Sequence, residues 1–149
     1  MVPQEEVTVR PYRIAITPDV YQVLQEVPIV SIAMGLHDEV KNAYRHYGLD
    51  HFVFKSNPVE VETCLKEKLK LKPHDTVCIL DGDKGLSMML LHRLQSCGFD
   101  AWYIENPIEM IPFLRQHSII PKAILVGHDL THEVNGLELV RYIRGCSAF

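Results

Sequence analysis

Thr76-Val77-Cys78-Ile79-Leu80-Asp81-Gly82-Asp83 is the stretch whose reading decides the fold. Five uncharged residues, three of them β-branched, end abruptly on Asp-Gly-Asp. A short apolar run bounded by turn residues suits a strand buried on both faces, as in a parallel sheet covered by helices. The form recurs at Pro28-Ile29-Val30-Ser31-Ile32-Ala33, His51-Phe52-Val53-Phe54-Lys55, Ala101-Trp102-Tyr103-Ile104 and Ala123-Ile124-Leu125-Val126. Helical patterns separate the five runs, so the reading is an α/β fold with a mostly parallel sheet.

The intervening helices carry local signals. Asn57 caps a helix with Pro58 at its first position and Glu60 three residues after the cap, and Val61, Leu65 and Leu69 share a face. Asn106, Pro107 and Glu109 repeat the device, with Ile111 and Leu114 inward and Pro112 predicting a kink. Leu86, Met89, Leu90 and Leu94 mark a helix that stops near Gly98. Val40, Ala43, Tyr44 and Tyr47 mark another, ended by Gly48. Leu137, Val140 and Ile143 mark the last, running nearly to the end of the chain.

With 149 residues, 47% hydrophobic and 23% charged, the chain reads as one ordinary globular domain with a short appendage. A net charge of −4 and a pI near 6.0 argue against nucleic acid as a partner. Cys64, Cys78, Cys97 and Cys146 have no paired spacing, which fits a reduced compartment. No apolar run has the length of a membrane span, and the acidic start Met1-Val2-Pro3-Gln4-Glu5-Glu6 lacks the form of a signal peptide. A cytoplasmic location, with no membrane partner, is the expectation.

In open α/β sheets the working residues lie past the carboxyl ends of the strands. Asp81, Gly82 and Asp83 fall there, as do Gly127, His128 and Asp129, with Ala33 and Lys55 at the ends of two further strands. Carboxylates beside a lysine suit Mg²⁺ and a phosphoryl group, because Mg²⁺ takes hard oxygen ligands and lysine can hold the phosphoryl oxygens. His128, Asp129 and His132 offer a second chelating set with Asp81 or Asp83, although loop histidines are more often simply solvated.

Three stretches together resemble the first half of a response-regulator receiver domain of two-component signalling: Val77–Asp83, then Leu94-Gln95-Ser96-Cys97-Gly98-Phe99, then Asn135-Gly136-Leu137-Glu138-Leu139-Val140-Arg141. Upstream, Val27–Ala33, then Tyr47-Gly48-Leu49-Asp50, then Phe52-Val53-Phe54-Lys55 resemble the receiver's fourth strand through its fifth. The resemblance covers about 27–145, in an order that implies a circular permutation: 27–71 as the second half and 76–149 as the first. It implies a flavodoxin-like, doubly wound, five-stranded parallel sheet of order 2-1-3-4-5 in family terms. The 76–80 strand is then central, flanked by the 101–104 and 123–126 strands, and the 28–33 strand lies beside 123–126. The short polar joint Lys70-Leu71-Lys72-Pro73-His74-Asp75 spans the small gap this order requires.

The resemblance also implies site roles, and the chain departs from several. Asp81 matches the first metal-binding acid, but Gly82 stands at the second, and Asp83 is one step late. His128 falls at the phosphoacceptor position, with Asp129 beside it as the candidate acceptor. Ala33 replaces the expected hydroxyl, Lys55 is kept, Ser56 replaces a proline, and Phe52 stands at the aromatic switch position. Asp81 and Asp83 are therefore weak Mg²⁺ candidates, and no other cofactor is expected. A plain ion pair at the rim of the sheet accounts for Asp81 and Lys55 without any phosphoryl chemistry.

The expected function is that of a pseudo-receiver: a non-catalytic module that signals through protein contacts, with a histidine kinase or an output protein as partner. The alternative is a phosphorylatable receiver accepting phosphate on Asp129 from a histidine kinase. A small-ligand sensor at the strand ends is a third reading, poorly served by Asp81-Gly82-Asp83-Lys84-Gly85, which puts acids where phosphate would sit. Tyr44, Tyr47 and Phe52 offer a partner surface or plain core, while Arg141 and Arg144 read as a solvated helix face.

Residues 1–26 form an extension. Ile14-Ala15-Ile16-Thr17-Pro18-Asp19-Val20 lines up with Ile124-Leu125-Val126-Gly127-His128-Asp129-Leu130, which makes 12–17 a candidate extra strand, with Val20, Val23 and Leu24 as a short helix. A spare strand competing for one slot, or halves exchanged between chains, favours a homodimer. The resemblance implies pairing through Val40–Tyr47, the 51–55 strand and the 58–70 helix.

Overall fold

The computed structural model describes residues 24–106, 109–130 and 134–144. Five strands, β1 (Ile29–Ala33), β2 (His51–Phe54), β3 (Thr76–Leu80), β4 (Asp100–Tyr103) and β5 (Ala123–Gly127), form one all-parallel sheet of order β2-β1-β5-β3-β4. β3 lies between β4 and β5, and β1 lies beside β5, as the sequence predicts. The architecture is consistent with a flavodoxin-like fold. The candidate strand at 12–17 lies outside the described residues.

Five helices cover the sheet among the described residues: α1 (Asp38–His46), α2 (Pro58–Thr63), α3 (Lys84–Ser96), α4 (Met110–Gln116) and α5 (Gly136–Ile143). Two apolar cores result. One lies under α1, α4 and α5 and centres on Tyr44, Leu114, Ile124, Val126 and Val140. The other lies under α2 and α3 and centres on Val61, Leu65, Ile79, Leu90 and Leu125. Alternate residues of β1, β3 and β5 serve opposite cores, which is why apolar residues occupy both faces of these strands.

Helix ends follow sequence chemistry where that chemistry is local. Asn57 Oδ1 accepts from the Glu60 amide, and Asn135 with Glu138 forms a full capping box. Gly48 and Gly98, at φ 90° and 94°, close α1 and α3. In each the following amide reaches back to the helix, Leu49 to Tyr44 and Phe99 to Leu94. The joint after α2 runs through a π-helical turn (Cys64–Lys68) and is tied by the Leu71 amide to Leu65 and the His74 amide to Gly98.

Three expectations are corrected. α4 is described from Met110 to Gln116, so Pro112 sits in its first turn, where its missing N–H has no helical partner to lose, and no kink is required. Asn106 keeps its tie to Glu109, but as a side-chain pair ahead of the helix, Nδ2 to Oε2 at 3.1 Å; Pro107 lies outside the described residues. Met89 faces solvent, because the α3 stripe that packs runs through Ser87, Leu90 and Leu94. Arg144 is no solvated arm: its guanidinium donates to the carbonyls of Leu24, Gln25, Val27 and Tyr47, clamping the entry to β1 and the end of α1 onto α5.

Candidate functional site

The carboxyl rim of the sheet gathers most of the residues singled out from the sequence. Asp81 follows β3 and is buried, with its side chain 1% exposed. Lys55 follows β2 and reaches across the ends of β1 and β5 to it, Nζ to Oδ2 at 3.4 Å and to Oδ1 at 3.5 Å. The Gly82 amide donates to Oδ1 at 3.0 Å, and Ser87 Oγ, one turn into α3, donates to Oδ2 at 3.3 Å. Burial pushes the Asp81 carboxyl above its ordinary value, and the charge and hydrogen bonds of Lys55, then Ser87 and the Gly82 amide, pull it back. Tyr103 Oη donates to the Asp81 carbonyl at 3.0 Å, fixing the backbone from the neighbouring strand.

Both glycines at this acid are required by space. A Cβ on Gly127 would overlap the Asp81 carboxylate. A Cβ on Gly82 would overlap the Leu130 carbonyl oxygen and stand 2.7 Å from that of Asp129. The chain after β5 therefore folds over the position at which a second acid would stand, and the Gly82 amide donates to the Asp129 carbonyl at 3.3 Å.

The remaining candidates are directed elsewhere. Asp83 Oδ1 accepts from the Leu86 amide at 3.1 Å and caps α3. Asp129 is exposed, and Lys55 pairs with Asp81 rather than with it. His128 Nδ1 and Tyr44 Oη lie 2.7 Å apart, with the rings edge to face. Burial, with the Asp129 charge nearby, pushes the Tyr44 phenol well above its ordinary value. The His128 carbonyl accepts from the Gly136 amide at 2.7 Å, seating α5 on β5. Ala33 ends β1 with its carbonyl accepting from the Lys55 amide at 3.1 Å. Tyr44 is core, whereas Tyr47 and Phe52 are half-buried. His132 and Cys146 lie outside the described residues.

Sequence reasoning missed Ser87, Tyr103 and the Tyr44–His128 bond. Ser87, six residues past Asp81 in the first turn of α3, carried a readable signal: a hydroxyl one turn into a helix that starts beside a buried acid. The other two depend on how strands and helices align, which no local pattern carries.

Among the described residues no three histidine, cysteine, aspartate or glutamate side chains gather as a metal would need. Cys64, Cys78 and Cys97 are free thiols. No helix among the described residues is long and apolar enough to cross a membrane. The fold and the rim define a class: an α/β protein with a five-stranded all-parallel sheet and a buried lysine–aspartate pair at its carboxyl edge. Comparison with protein-family models, with curated proteins and with solved structures finds no match.

Proposed function

We propose that the chain is a circularly permuted pseudo-receiver: a cytoplasmic, non-catalytic module that works through protein contacts in a two-component-like pathway. The observation that carries this reading is the closure over Gly82. A receiver that binds Mg²⁺ needs two acids and open coordination space, since Mg²⁺ keeps near-octahedral geometry and several waters. Here the second acid is a glycine against two carbonyls, and the first is taken up by Lys55, Ser87 and an amide. Ala33 offers no hydroxyl to a phosphoryl group. What survives of the receiver pattern is structural: Lys55 ties the β2 edge to the centre of the sheet through Asp81.

The strand order supports the permuted reading, because the two halves matched in sequence meet edge to edge as β1 beside β5. The proposed partners are a histidine kinase or output protein and a second copy of the chain. Incubation with Mg²⁺ and acetyl phosphate, followed by intact-mass measurement, tests the reading. The expected result is an unmodified chain. A phosphoryl adduct that disappears in Asp129→Asn would establish the phosphorylatable alternative instead.

A further inference from the structure

Beside the rim, between α1 and the β1–β2 edge, lies a cleft of about 50 Å³, open at its mouth, lined by Ser31, Ala33, Leu36, Lys41, Phe52 and Phe54, among others. Its walls mix apolar and polar surface: Ser31 and Lys41 line it, and Arg45 stands beside it over the ring of Phe52. Ser31 is 1% exposed, and its hydroxyl has no hydrogen-bond partner among the described residues. Buried hydroxyls are almost always paired, so an orphan lining a cleft points to a group that is supplied from outside. Lys41 Nζ lies 5.8 Å from the centroid of the Phe52 ring, and the Arg45 guanidinium lies 5.2 Å from the same centroid. These cations stand four apart on α1, a spacing that sets like charges against each other. Neither has a carboxylate within ion-pair distance among the described residues; Arg45 bonds only the Asn42 side chain there.

We propose that this cleft binds a small organic anion, with its apolar body against Phe52, Phe54 and Leu36, its charge met by Lys41 and Arg45, and a polar atom reaching Ser31. At about 50 Å³ the cleft takes in only part of a small ligand, and its open mouth leaves the rest of the body outside. The short Ala33 side chain helps leave the room. The site is separate from the Lys55–Asp81 pair and does not depend on the signalling reading.

Benzoate and its neutral isostere benzamide are the probes, titrated into the full-length protein and followed by methyl and amide NMR shifts. Benzoate is expected to bind saturably, shifting Ala33, Leu36 and Val53, and ~tenfold more tightly than benzamide, as expected of a charge-assisted contact. Lys41→Gln should remove most of that preference. Ser31→Ala should weaken benzoate by roughly threefold to tenfold while the protein stays folded, since removing an unpaired buried hydroxyl does not destabilise. No saturable shift, equal binding of the two probes, or affinities untouched by both substitutions would each overturn the proposal.

Discussion

Replacing Lys55 by methionine would leave the Asp81 carboxylate buried with one hydroxyl and one amide as its remaining partners. Removing one member of a buried pair costs about 3 kcal/mol, because the other charge is left uncompensated. The pH dependence has a definite sign. Burial already raises the folded-state proton affinity of Asp81, and Lys55 is the first influence opposing it, so Lys55→Met raises it further. An acid whose folded value exceeds its unfolded value gains stability from protonation. The deficit of Lys55→Met should therefore be large at neutral pH and shrink as pH falls through the raised value. Urea denaturation at neutral pH and along an acid series checks this, and a deficit unchanged throughout would contradict it. Gly82→Ala is expected to cost about 2 kcal/mol by pushing a methyl into the 129–130 carbonyls, read in the same assay. Asp81 and Lys55 were legible in the sequence because each follows a strand run directly. The reason Gly82 must be glycine was not, since the atoms it would strike come from a loop almost fifty residues away.

At the scale of elements, two ties hold helices in place. Glu62 on α2 accepts from Arg93 on α3 at 2.7 Å and from Lys66 at 2.7 Å. Those hydrogen bonds, with one from Cys97, hold its carboxyl down at about 2. A depressed acid contributes stability above its unfolded value and loses it as pH falls toward the folded value, here from about 4.5 to about 2. The chain should lose this tie on acidification, and Glu62→Gln should destabilise at neutral pH by no more than about 1 kcal/mol, the pair being near the surface. A Glu62→Gln deficit that persists undiminished at the acid end would contradict the assignment. Arg144→Met removes four donations to the carbonyls of Leu24, Gln25, Val27 and Tyr47, and a loss of about 2 kcal/mol is expected by denaturant titration. The helices whose caps are written locally, at Asn57, Gly48 and Gly98, begin or end where the sequence places them. For α4 the start expected at Pro107 falls outside the described residues, and Asn106 meets Glu109 through a side-chain pair. Arg144 was misread because an arginine near a helix end looks the same whether it faces water or a ring of carbonyls.

For the whole molecule, the order β2-β1-β5-β3-β4 was reached through the resemblance of two sequence halves, not through periodicity, which finds the strands without ordering them. β2 is an edge strand, and Phe54, Val59 and Met34 stand exposed at that side of the sheet. The face formed by α1, β2 and α2 is where the account expects a second copy to pair. Sedimentation at micromolar concentration should give a dimer that dissociates on dilution, and a species of 17.1 kDa at every concentration would rule it out. The central claim is that the rim does not assemble a metal-dependent phosphoryl site. Titration of Mg²⁺ with beryllofluoride, followed by NMR at the Asp81, Gly82 and Asp129 amides, tests it most directly. The account predicts no saturable shift at these positions; a saturable shift that is lost in Asp81→Ala would contradict it.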